Sequence, residues 1–356
     1  MLDFLVVGAG LSGATFAYLA KISGYSVKVI ERKEKVGGMC STSEQHGIMV
    51  HEHGAHIFHT SDAEVWHLLN SVCEFEPFIN TPKACHGGRI FSLPVNMNTF
   101  NELWGVTTPK DAISQIQRQK EHFEKIENAE QYLLSTVGRD LYEAIFKDYT
   151  AKQWGRPCSE LSPEIVKRVP IRFAFDNNYF NDKYQGIPTC GYSALILRML
   201  DGVEIERGDY MLGDYGAKTV IYTGALDELL GYKYGELAYR SLEFTSEYYP
   251  DIDNYQGVAV VNNCDIKHMY TRTIEHKHFS RREVKGTIIT HEVPRKYREG
   301  LERYYPITDY VNMTLYEMYK SDLPSNVIPL GRLAEYRYIN MDEAVGNALR
   351  LFTKIK

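Results

Sequence analysis

The chain has 356 residues, which at about 150 residues per domain predicts two or more domains and excludes a single small binding module. Lys and Arg number 40 against 46 Asp and Glu, and the net charge of -6 is spread without long runs of one sign. We therefore expect neither nucleic acid nor an anionic membrane as a partner. Hydrophobic residues at 44% are typical of a globular protein, which excludes disordered and fibrous classes.

The sequence indicates neither a membrane helix nor a signal peptide, because no apolar run approaches about 18 to 20 residues and the chain lacks a basic start. We expect a cytoplasmic protein. Its six cysteines never form a CxxC pair and are too sparse for a disulfide scaffold, so we expect reduced thiols. The 26 tyrosines predict a partly exposed aromatic lining, with core filling as the equal alternative.

The start of the chain predicts a strand, a helix and a second strand. Apolar runs occupy 4–7 and 27–30, and between them apolar side chains recur at helical spacing over 11–22. Gly24 follows as the expected helix stop. Because a helix joins the two strands, we expect them to pair in parallel.

A glycine motif follows the first strand and opens the helix. Gly8, Gly10 and Gly13 form GxGxxG, and Glu31 ends the second strand. Such glycines let backbone N–H groups approach a pyrophosphate at the helix N-terminus, while the acid accepts hydrogen bonds from a ribose. Glycines needed only for a tight turn are the alternative. The second glycine pair, at 37–38, resembles the FAD signature of amine-oxidase and mutase flavoproteins.

The middle of the chain predicts helices and then sheet. Helical patterns cover 111–125, 130–137 and 139–147, which reads as a small helical insertion. From about 255 the period changes to two, with the clearest runs at 270–279 and 287–293. These runs predict antiparallel strands, and the first would place His276 and His278 on one face with Arg272.

Four histidines lie close together at His51, His53, His56 and His59. A metal site is one interpretation, since alternate strand side chains share a face, but no third ligand is evident. We prefer the interpretation that residues 54–55 bring backbone close to a flavin with His56 beside the ring, and we predict no metal. Structural roles stay open for the other histidines.

Seven segments, in chain order, resemble the bacterial UDP-galactopyranose mutase family. They are GAHIFHT at 54–60, FSLPVNMNTF at 91–100, YTAKQWG at 149–155, RVPIRFAFDNNYF at 168–180, YTRTIEHKHF at 270–279, YYP at 304–306 and GRLAEYRYINMD at 331–342. The resemblance covers nearly the whole chain.

The resemblance implies an isomerase that interconverts UDP-galactopyranose and UDP-galactofuranose on reduced FAD with no net redox change. In that family the flavin N5 attacks the anomeric carbon and displaces UDP, and the sugar ring opens and recloses on the covalent adduct. The protein must then position the sugar and neutralise the leaving diphosphate. The implied partners are the UDP-sugar and an external reductant, NAD(P)H or a flavin reductase, and the resemblance is compatible with a homodimer.

The matched motifs imply three sets of residues. Catalytic roles fall to Arg168, Arg272 and His56, with both arginines as bidentate contacts to the diphosphate. FAD contacts fall to Gly8, Gly10, Ser12, Gly13, Glu31, Arg32, Gly38, Met39, His56, Ile57, Arg332, Asn340 and Met341. Substrate contacts fall to Asn80, Phe146, Tyr149, Trp154, Arg168, Tyr179, Asn262, Arg272, Tyr305 and Tyr338.

Within the last set, Phe146 and Tyr149 would serve the uracil, and Trp154 would lie on a mobile loop that closes over substrate. From the residues alone, aromatic packing and a surface salt bridge of Arg272 remain alternatives. Near the C-terminus, Asn340 can cap a helix that starts near Met341. Its N-terminus would stabilise the negative charge of reduced flavin, with an ordinary capped helix as the alternative.

The implied fold is α/β: a Rossmann-like FAD-binding domain with an inserted helical domain and an antiparallel β-sheet domain. We expect the discontinuous FAD-binding domain at 1–78, 192–238 and 318–356. The helical insertion, which leads into the mobile loop, is expected at 98–153. The sheet domain is expected at 79–97, 154–191 and 239–317.

Three residues depart from the family pattern: Met39 replaces its Asn, Asp148 its Gly and Asn340 its Asp. Since the last of these is expected near the sugar, a mutase for UDP-N-acetylgalactosamine or UDP-arabinose is an alternative. An amine-oxidase-type oxidoreductase is a weaker alternative, because it has no need for the arginine pair. A nucleotide-sugar-binding protein that has lost catalysis is the third alternative.

Overall fold

The computed structural model describes residues 1–167, 170–280 and 282–356. Within these ranges the strands are β1 (Leu2–Val7), β2 (Val27–Glu31), β3 (Thr42–Gln45), β4 (Ile48–His51), β5 (Phe58–Thr60), β6 (Phe75–Pro77), β7 (Lys83–His86), β8 (Arg89–Ser92), β9 (Tyr184–Pro188), β10 (Glu204–Arg207), β11 (Ala217–Tyr222), β12 (Tyr239–Tyr249), β13 (Val260–Asn263), β14 (Arg272–Glu275), β15 (Thr287–Lys296), β16 (Tyr305–Pro306) and β17 (Val327–Pro329).

The α-helices in the same ranges are α1 (Leu11–Ile22), α2 (Ala63–Val72), α3 (Met97–Trp104), α4 (Pro109–Gln119), α5 (Ala129–Thr136), α6 (Arg139–Leu141), α7 (Lys147–Trp154), α8 (Glu164–Lys167), α9 (Tyr192–Met199), α10 (Leu226–Leu229), α11 (Tyr310–Ser321) and α12 (Met341–Ile355). A π-helical turn, Tyr142–Phe146, joins α6 to α7.

A parallel sheet forms the first unit. Its strands lie in the order β10-β2-β1-β11-β17, and every neighbouring pair is parallel. The helix α1 returns the chain from β1 to β2 and packs against α9 and α12, so Phe16, Leu195 and Val345 are fully buried in one core. The predicted parallel pairing and the Rossmann-like fold class are confirmed.

A seven-stranded sheet forms the second unit, in the order β16-β12-β15-β14-β13-β7-β8. Its pairs are antiparallel except β13 with β7, which run parallel. The predicted strand over 270–279 is wrong in its second half, because β14 ends at Glu275 and a 3-10 turn follows at His276–Phe279. His276 and His278 therefore do not extend the strand face of Arg272.

Helices α3 to α8 enclose a separate hydrophobic core beside this sheet. Phe100 and Leu133 are buried in it, and so are Cys158, Leu161 and Val166. The helical core therefore continues past residue 153, into a segment that we expected in the sheet domain. Helix α4 ends at Gln119, six residues before the predicted limit of 125.

Strand β9, which we also expected in the sheet domain, pairs instead with β5 and β6. Nearby, the structure joins Cys73 to Cys190 in a disulfide with the Cα atoms 6.8 Å apart, so the expectation of reduced thiols is wrong for this pair. None of the helices in the described ranges is both long and apolar enough to cross a membrane.

Candidate active site

The glycine motif packs tightly between β1 and α1. Gly8 has a φ of +102, and a Cβ on Gly13 would lie 2.1 Å from the carbonyl oxygen of Gly8. The second glycine turn lies against the first, since the Gly37 N–H donates to the Ala9 carbonyl at 2.9 Å. Bare backbone from two turns thus forms one cradle, which suits a pyrophosphate at the N-terminus of α1.

Glu31 closes one side of this cradle. Its carboxylate accepts hydrogen bonds from the N–H groups of Ala9 at 2.7 Å and Lys33 at 2.8 Å, and the residue is only 7% exposed. A buried carboxylate fixed by two amides is well placed to accept the hydroxyl hydrogens of a ribose at the end of β2.

A cavity of about 600 Å³ extends from this cradle along the carboxyl ends of the parallel strands. Except for Ile57, which is buried in a neighbouring hydrophobic cluster, every residue that we expected to contact FAD lines this cavity. Cavities for bound ligands commonly measure about 300 to 1,000 Å³, so this one suits a dinucleotide. The donor set and the bare backbone fit FAD.

Sequence reasoning missed part of the cavity wall. Residues 208–212 and 222–224 line it, and so does Glu228, which accepts from Arg32 at 2.7 Å and from Arg303 at 2.6 Å. The first segment follows β10 and the second begins with the last residue of β11, and the carboxyl ends of these strands meet those of β1 and β2. Since strand order cannot be read from one sequence, only the general rule about carboxyl ends could have indicated them.

Arg332 connects the cavity to a second group of predicted residues. Its guanidinium donates to the carbonyl of Ile339 at 2.8 Å and lies over the rings of Tyr338 and Tyr305, at 5.3 and 5.8 Å. These two rings stack with centroids 5.6 Å apart. Asn340 is the N-cap residue of α12, its N–H donates to the Glu343 carboxylate at 2.8 Å, and it also lines the cavity.

The sheet presents a row of polar residues on the face beside the tyrosines. Asn262, Arg272 and Glu292 lie directly opposite one another on β13, β14 and β15, so their side chains share a face. The guanidinium of Arg272 lies 3.4 Å from the carboxylate of Glu292, which is 1% exposed, whereas the Arg272 side chain is 31% exposed. The pair therefore holds one guanidinium at the edge of the site with its counter-charge behind it.

Sequence reasoning missed Glu292. It falls within the predicted strand 287–293, but nothing in the sequence marks it as the partner of Arg272, because that pairing depends on the register of β14 with β15. Burial alone would lower the pKa of the Arg272 guanidinium, yet the Glu292 carboxylate and the neighbouring tyrosine hydroxyls together outweigh that effect and raise the pKa above its ordinary value. Arg272 therefore stays charged.

Three predicted tyrosines surround Arg272: Tyr149, Tyr179 and Tyr305 interact with it electrostatically. Burial raises the pKa of Tyr305 to about 12, Glu292 and Tyr338 act in the same direction, and the two arginines, Arg272 and Arg332, oppose it. The phenol stays protonated near neutral pH and can donate a hydrogen bond to an anion.

The other predicted substrate residues lie in different surroundings. Asn80 is 7% exposed, its backbone carbonyl accepts from Tyr179, and its Oδ1 atom has no hydrogen-bond partner among the described residues. Phe146 is buried in the helical core, and Trp154, partly buried, is the last residue of α7. Arg168 lies outside the described residues.

The four clustered histidines do not converge on one point in the structure. The His56 N–H donates to Nδ1 of His51 at 3.1 Å, His53 contacts the Tyr304 hydroxyl at 2.5 Å, and His59 contacts Asp182 at 2.6 Å. Nδ1 of His56 lies 2.7 Å from the Gly54 carbonyl, and its ring lines the cavity. Among the described residues, no three His, Cys, Asp or Glu side chains form a group that could hold a metal ion.

The partly buried His56 and the buried His51 and His276 are linked by backbone N–H groups that donate to the rings of His51 and His276, so these two rings must offer a free nitrogen. The His51 N–H donates to Nδ1 of His276, whose Nε2 contacts Thr290 at 2.8 Å. Burial lowers the pKa of His276 to about 3 and that of His56 to about 4, and it also lowers the pKa of His51. Protonation of His51 or His276 would remove an acceptor for a backbone N–H.

We expect stability to fall on acidification, because the folded pKa of these histidines lies below the unfolded value of 6.5. Their contribution is complete above pH 6.5 and is lost as the pH falls towards the folded values. From pH 7 to pH 5 each such histidine should remove up to about 2 kcal/mol from the free energy of unfolding. Urea titrations of wild type and His276→Gln would measure this, with exposed His122→Gln as the control. An equal acid loss in His276→Gln and wild type would contradict the assignment.

The fold and the site together define a flavin-dependent enzyme for an anionic substrate: a Rossmann-like unit with a dinucleotide-sized cavity that leads to an arginine and several tyrosines on a sheet face. The family model for UDP-galactopyranose mutase matches residues 144–338, and that for an NAD(P)-binding Rossmann-like domain matches residues 6–72. The chain is 39% identical to a probable UDP-galactopyranose mutase of Klebsiella pneumoniae, over 98% of this chain and 93% of the relative. The chain belongs to the UDP-galactopyranose mutase family and is an enzyme of the mutase class.

Two further comparisons show how far the similarity extends. The chain is 35% identical to a dTDP-fucopyranose mutase of Escherichia coli, over 97% of this chain and 96% of that protein. The crystal structure of a reduced UDP-galactopyranose mutase superposes with a TM-score of 0.78 at 13% identity, covering 100% of this chain and 94% of that one. That structure shares the fold.

Proposed function

We propose that this protein interconverts UDP-galactopyranose and UDP-galactofuranose with FAD as its cofactor. The observation that carries the proposal is the arrangement at the end of the cavity, where Arg332 lies over Tyr305 and Tyr338 and these rings lead to Arg272. A cationic and hydroxyl-rich surface of this kind suits the diphosphate of a nucleotide sugar. The family membership is consistent with it.

FAD would be held by the glycine cradle at its pyrophosphate, by Glu31 at a ribose and by the segment from Gly331 to Asn340 at its ring. When bound and reduced, the flavin supplies the nucleophile for the anomeric carbon. The N-terminus of α12 reaches the cavity at Asn340 and Met341 and presents the positive end of a helix there. That end stabilises negative charge on a neighbouring ring.

The residues of the sheet face act on the leaving diphosphate. As the bond to the sugar breaks, negative charge grows on the phosphate oxygens, and Arg272 and the Tyr305 hydroxyl bind that charge more strongly than they bind the intact substrate. Glu292 holds Arg272 in place and keeps it charged. The Oδ1 of Asn80, which no described residue binds, offers an acceptor for a donor such as a sugar hydroxyl.

His56 is fixed at the cavity wall in a single tautomer. Since its Nδ1 faces the Gly54 carbonyl, that nitrogen carries the proton and Nε2 keeps its lone pair. Burial lowers its pKa to about 4, so the ring stays neutral at physiological pH. A neutral acceptor in this position can order a donor on the cofactor or the sugar without adding positive charge.

Incubation of the purified protein with dithionite and UDP-galactopyranose tests the proposal. We expect the protein to purify with FAD and to form UDP-galactofuranose without consuming stoichiometric reductant. Chromatography of the nucleotide sugars measures the isomerisation, and the absorbance of the flavin measures the FAD content and its redox state. Equal turnover with fully oxidised flavin, or net reduction of the flavin by the sugar, would contradict the proposal. The latter would favour an oxidoreductase.

A second candidate substrate is dTDP-fucopyranose, because the chain is 35% identical to a dTDP-fucopyranose mutase over 97% of its length. The same reduced protein should be offered UDP-N-acetylgalactosamine and UDP-arabinose, since Asn340 stands where the family usually has Asp. The ratio of kcat/KM values among these sugars identifies the substrate. UDP binding without turnover of any of them would indicate a binding protein.

A further inference from the structure

Arg240 is a second arginine on the face of the sheet that carries Arg272, and the sequence motifs did not single it out. On β12 it lies opposite Tyr305 of β16 and Lys296 of β15. Because side chains alternate along a strand, Arg240 lies on the same face as Phe244, four residues further along β12. Phe244 pairs with Glu292 of β15, so Arg240 and Glu292 share that face. The residue is 8% exposed, so its charge is held within the protein.

The guanidinium of Arg240 is bound to the end of α7. Its Nε donates to the Gln153 carbonyl at 3.0 Å and its Nη2 to the Lys152 carbonyl at 3.4 Å. These are carbonyls of the last helical turn, which have no partner within the helix, and a cation there is favoured by the helix dipole. A Cβ on Gly155 would lie 2.8 Å from Nη1, so the guanidinium also packs against the residue that ends the helix.

No carboxylate in the described part of the chain forms an ion pair with Arg240, and the pKa of its guanidinium is lowered by burial. A buried arginine without a counter-ion is costly. Helix carbonyls compensate a buried charge less than a carboxylate does, so the contact stabilises the end of α7 at the expense of desolvating the guanidinium. A second cation acts in parallel, since Nζ of Lys152 donates to the carbonyls of Asn263, Asp265 and Tyr270 at 2.8 to 3.0 Å.

We infer that Arg240 is a positioning residue for the nucleotide: it fixes the C-terminal turn of α7, and with it Tyr149 and Trp154, against the strand that holds Tyr305. The inference rests on the proposed function, a nucleotide-sugar mutase, and on the family resemblance, which implies that Tyr149 of α7 serves the base of the nucleotide. The backbone connection supports it, because the Tyr304 N–H donates to the Arg240 carbonyl at 3.0 Å. One residue thus joins the base end and the diphosphate end of the site.

The test compares UDP binding by calorimetry with steady-state kinetics in wild type, Arg240→Gln and Arg240→Lys. We expect Arg240→Gln to raise the Kd for UDP and the KM of the sugar nucleotide about tenfold, with kcat changed far less, because the lost contacts hold the nucleotide in ground state and transition state alike. The Kd and KM of Arg240→Lys should lie between those of wild type and Arg240→Gln, since lysine keeps the charge without the planar donors.

Arg295→Gln is the matched control. Arg295 is also on the long strand pair and binds Glu243 at 2.5 Å, but it alternates to the opposite face and is partly exposed. The Arg295→Gln variant should leave the Kd for UDP and the KM of the sugar nucleotide unchanged. All variants should retain FAD, measured by flavin absorbance per protein. FAD-loaded Arg240→Gln with wild-type Kd and KM would overturn the inference, as would a loss confined to kcat.

The readouts separate this inference from the proposed function. If wild type binds UDP but isomerises no sugar, the proposed function fails, while the change in Kd still decides the role of Arg240. If wild type does not bind UDP, both fail. If Arg240→Gln does not fold, the Arg240→Lys variant decides alone. A Kd for UDP in Arg240→Lys equal to that of wild type would then overturn the inference.

Discussion

Replacing Arg272 by Ala should lower kcat/KM for the nucleotide sugar by roughly one to three orders of magnitude. The Arg272 side chain is 31% exposed while that of its partner Glu292 is 1% exposed, so the cation faces the proposed substrate site and its counter-charge lies behind it. The contact strengthens as charge develops on the diphosphate, and its loss should therefore lower kcat as well as raise KM. Steady-state kinetics of the dithionite-reduced protein measure both.

A second variant is needed because Arg272→Ala also leaves the Glu292 carboxylate buried without its cation, which by itself is destabilising. The double variant Arg272→Ala with Glu292→Gln removes that charge and should restore stability without restoring activity. Wild-type kinetics in either FAD-loaded variant would contradict the role of Arg272. The resemblance implies the same loss for Arg168→Ala.

Local patterns predicted the first unit of the fold closely. The helix predicted over 11–22 is α1, Leu11–Ile22, and the apolar runs at 4–7 and 27–30 fall within β1 and β2. These elements depend on the spacing of apolar side chains along a few turns, which a single sequence contains. The same is true of the glycine cradle, whose motif is contiguous.

The prediction over 270–279 was wrong because alternation is a local signal and the end of a strand is not. After Glu275 the chain turns, and the buried His276 ring contacts Thr290 and accepts the N–H of His51, a residue 225 positions away. That contact replaces the next pair of the ladder. A tertiary contact of this kind leaves no periodic trace in the sequence.

Two of the missed residues of the site are defined by register. Glu292 and Arg240 become site residues only because β15 and β12 pair so that both share a face with Arg272. A shift of one residue would turn each to the opposite face. The sequence shows only two arginines and a glutamate in strands. The structure shows that Arg272 has the Glu292 carboxylate as its partner, whereas Arg240 has carbonyls of α7.

Gly13→Ala should yield protein that does not retain FAD. Gly13 lies within α1 and its φ is not left-handed, so the new methyl group is the whole change, and it would lie 2.1 Å from the Gly8 carbonyl oxygen and 3.1 Å from a methyl group of Val6. The first of these is backbone and cannot swing aside. Either α1 moves away from β1 or the glycine turn opens, and both displace the amides of the pyrophosphate cradle.

The strain should also lower the free energy of unfolding by about 1 to 3 kcal/mol, as inserted atoms do in close-packed regions. Gly213→Ala is the control, because its Cβ would meet no atom closer than 3.8 Å and its φ is not left-handed. Flavin absorbance per protein and urea unfolding measure the two effects. Full FAD occupancy in Gly13→Ala would mean that the start of α1 can shift without loss of the cradle, and the close approach of helix to strand would then not be what forms the cofactor site.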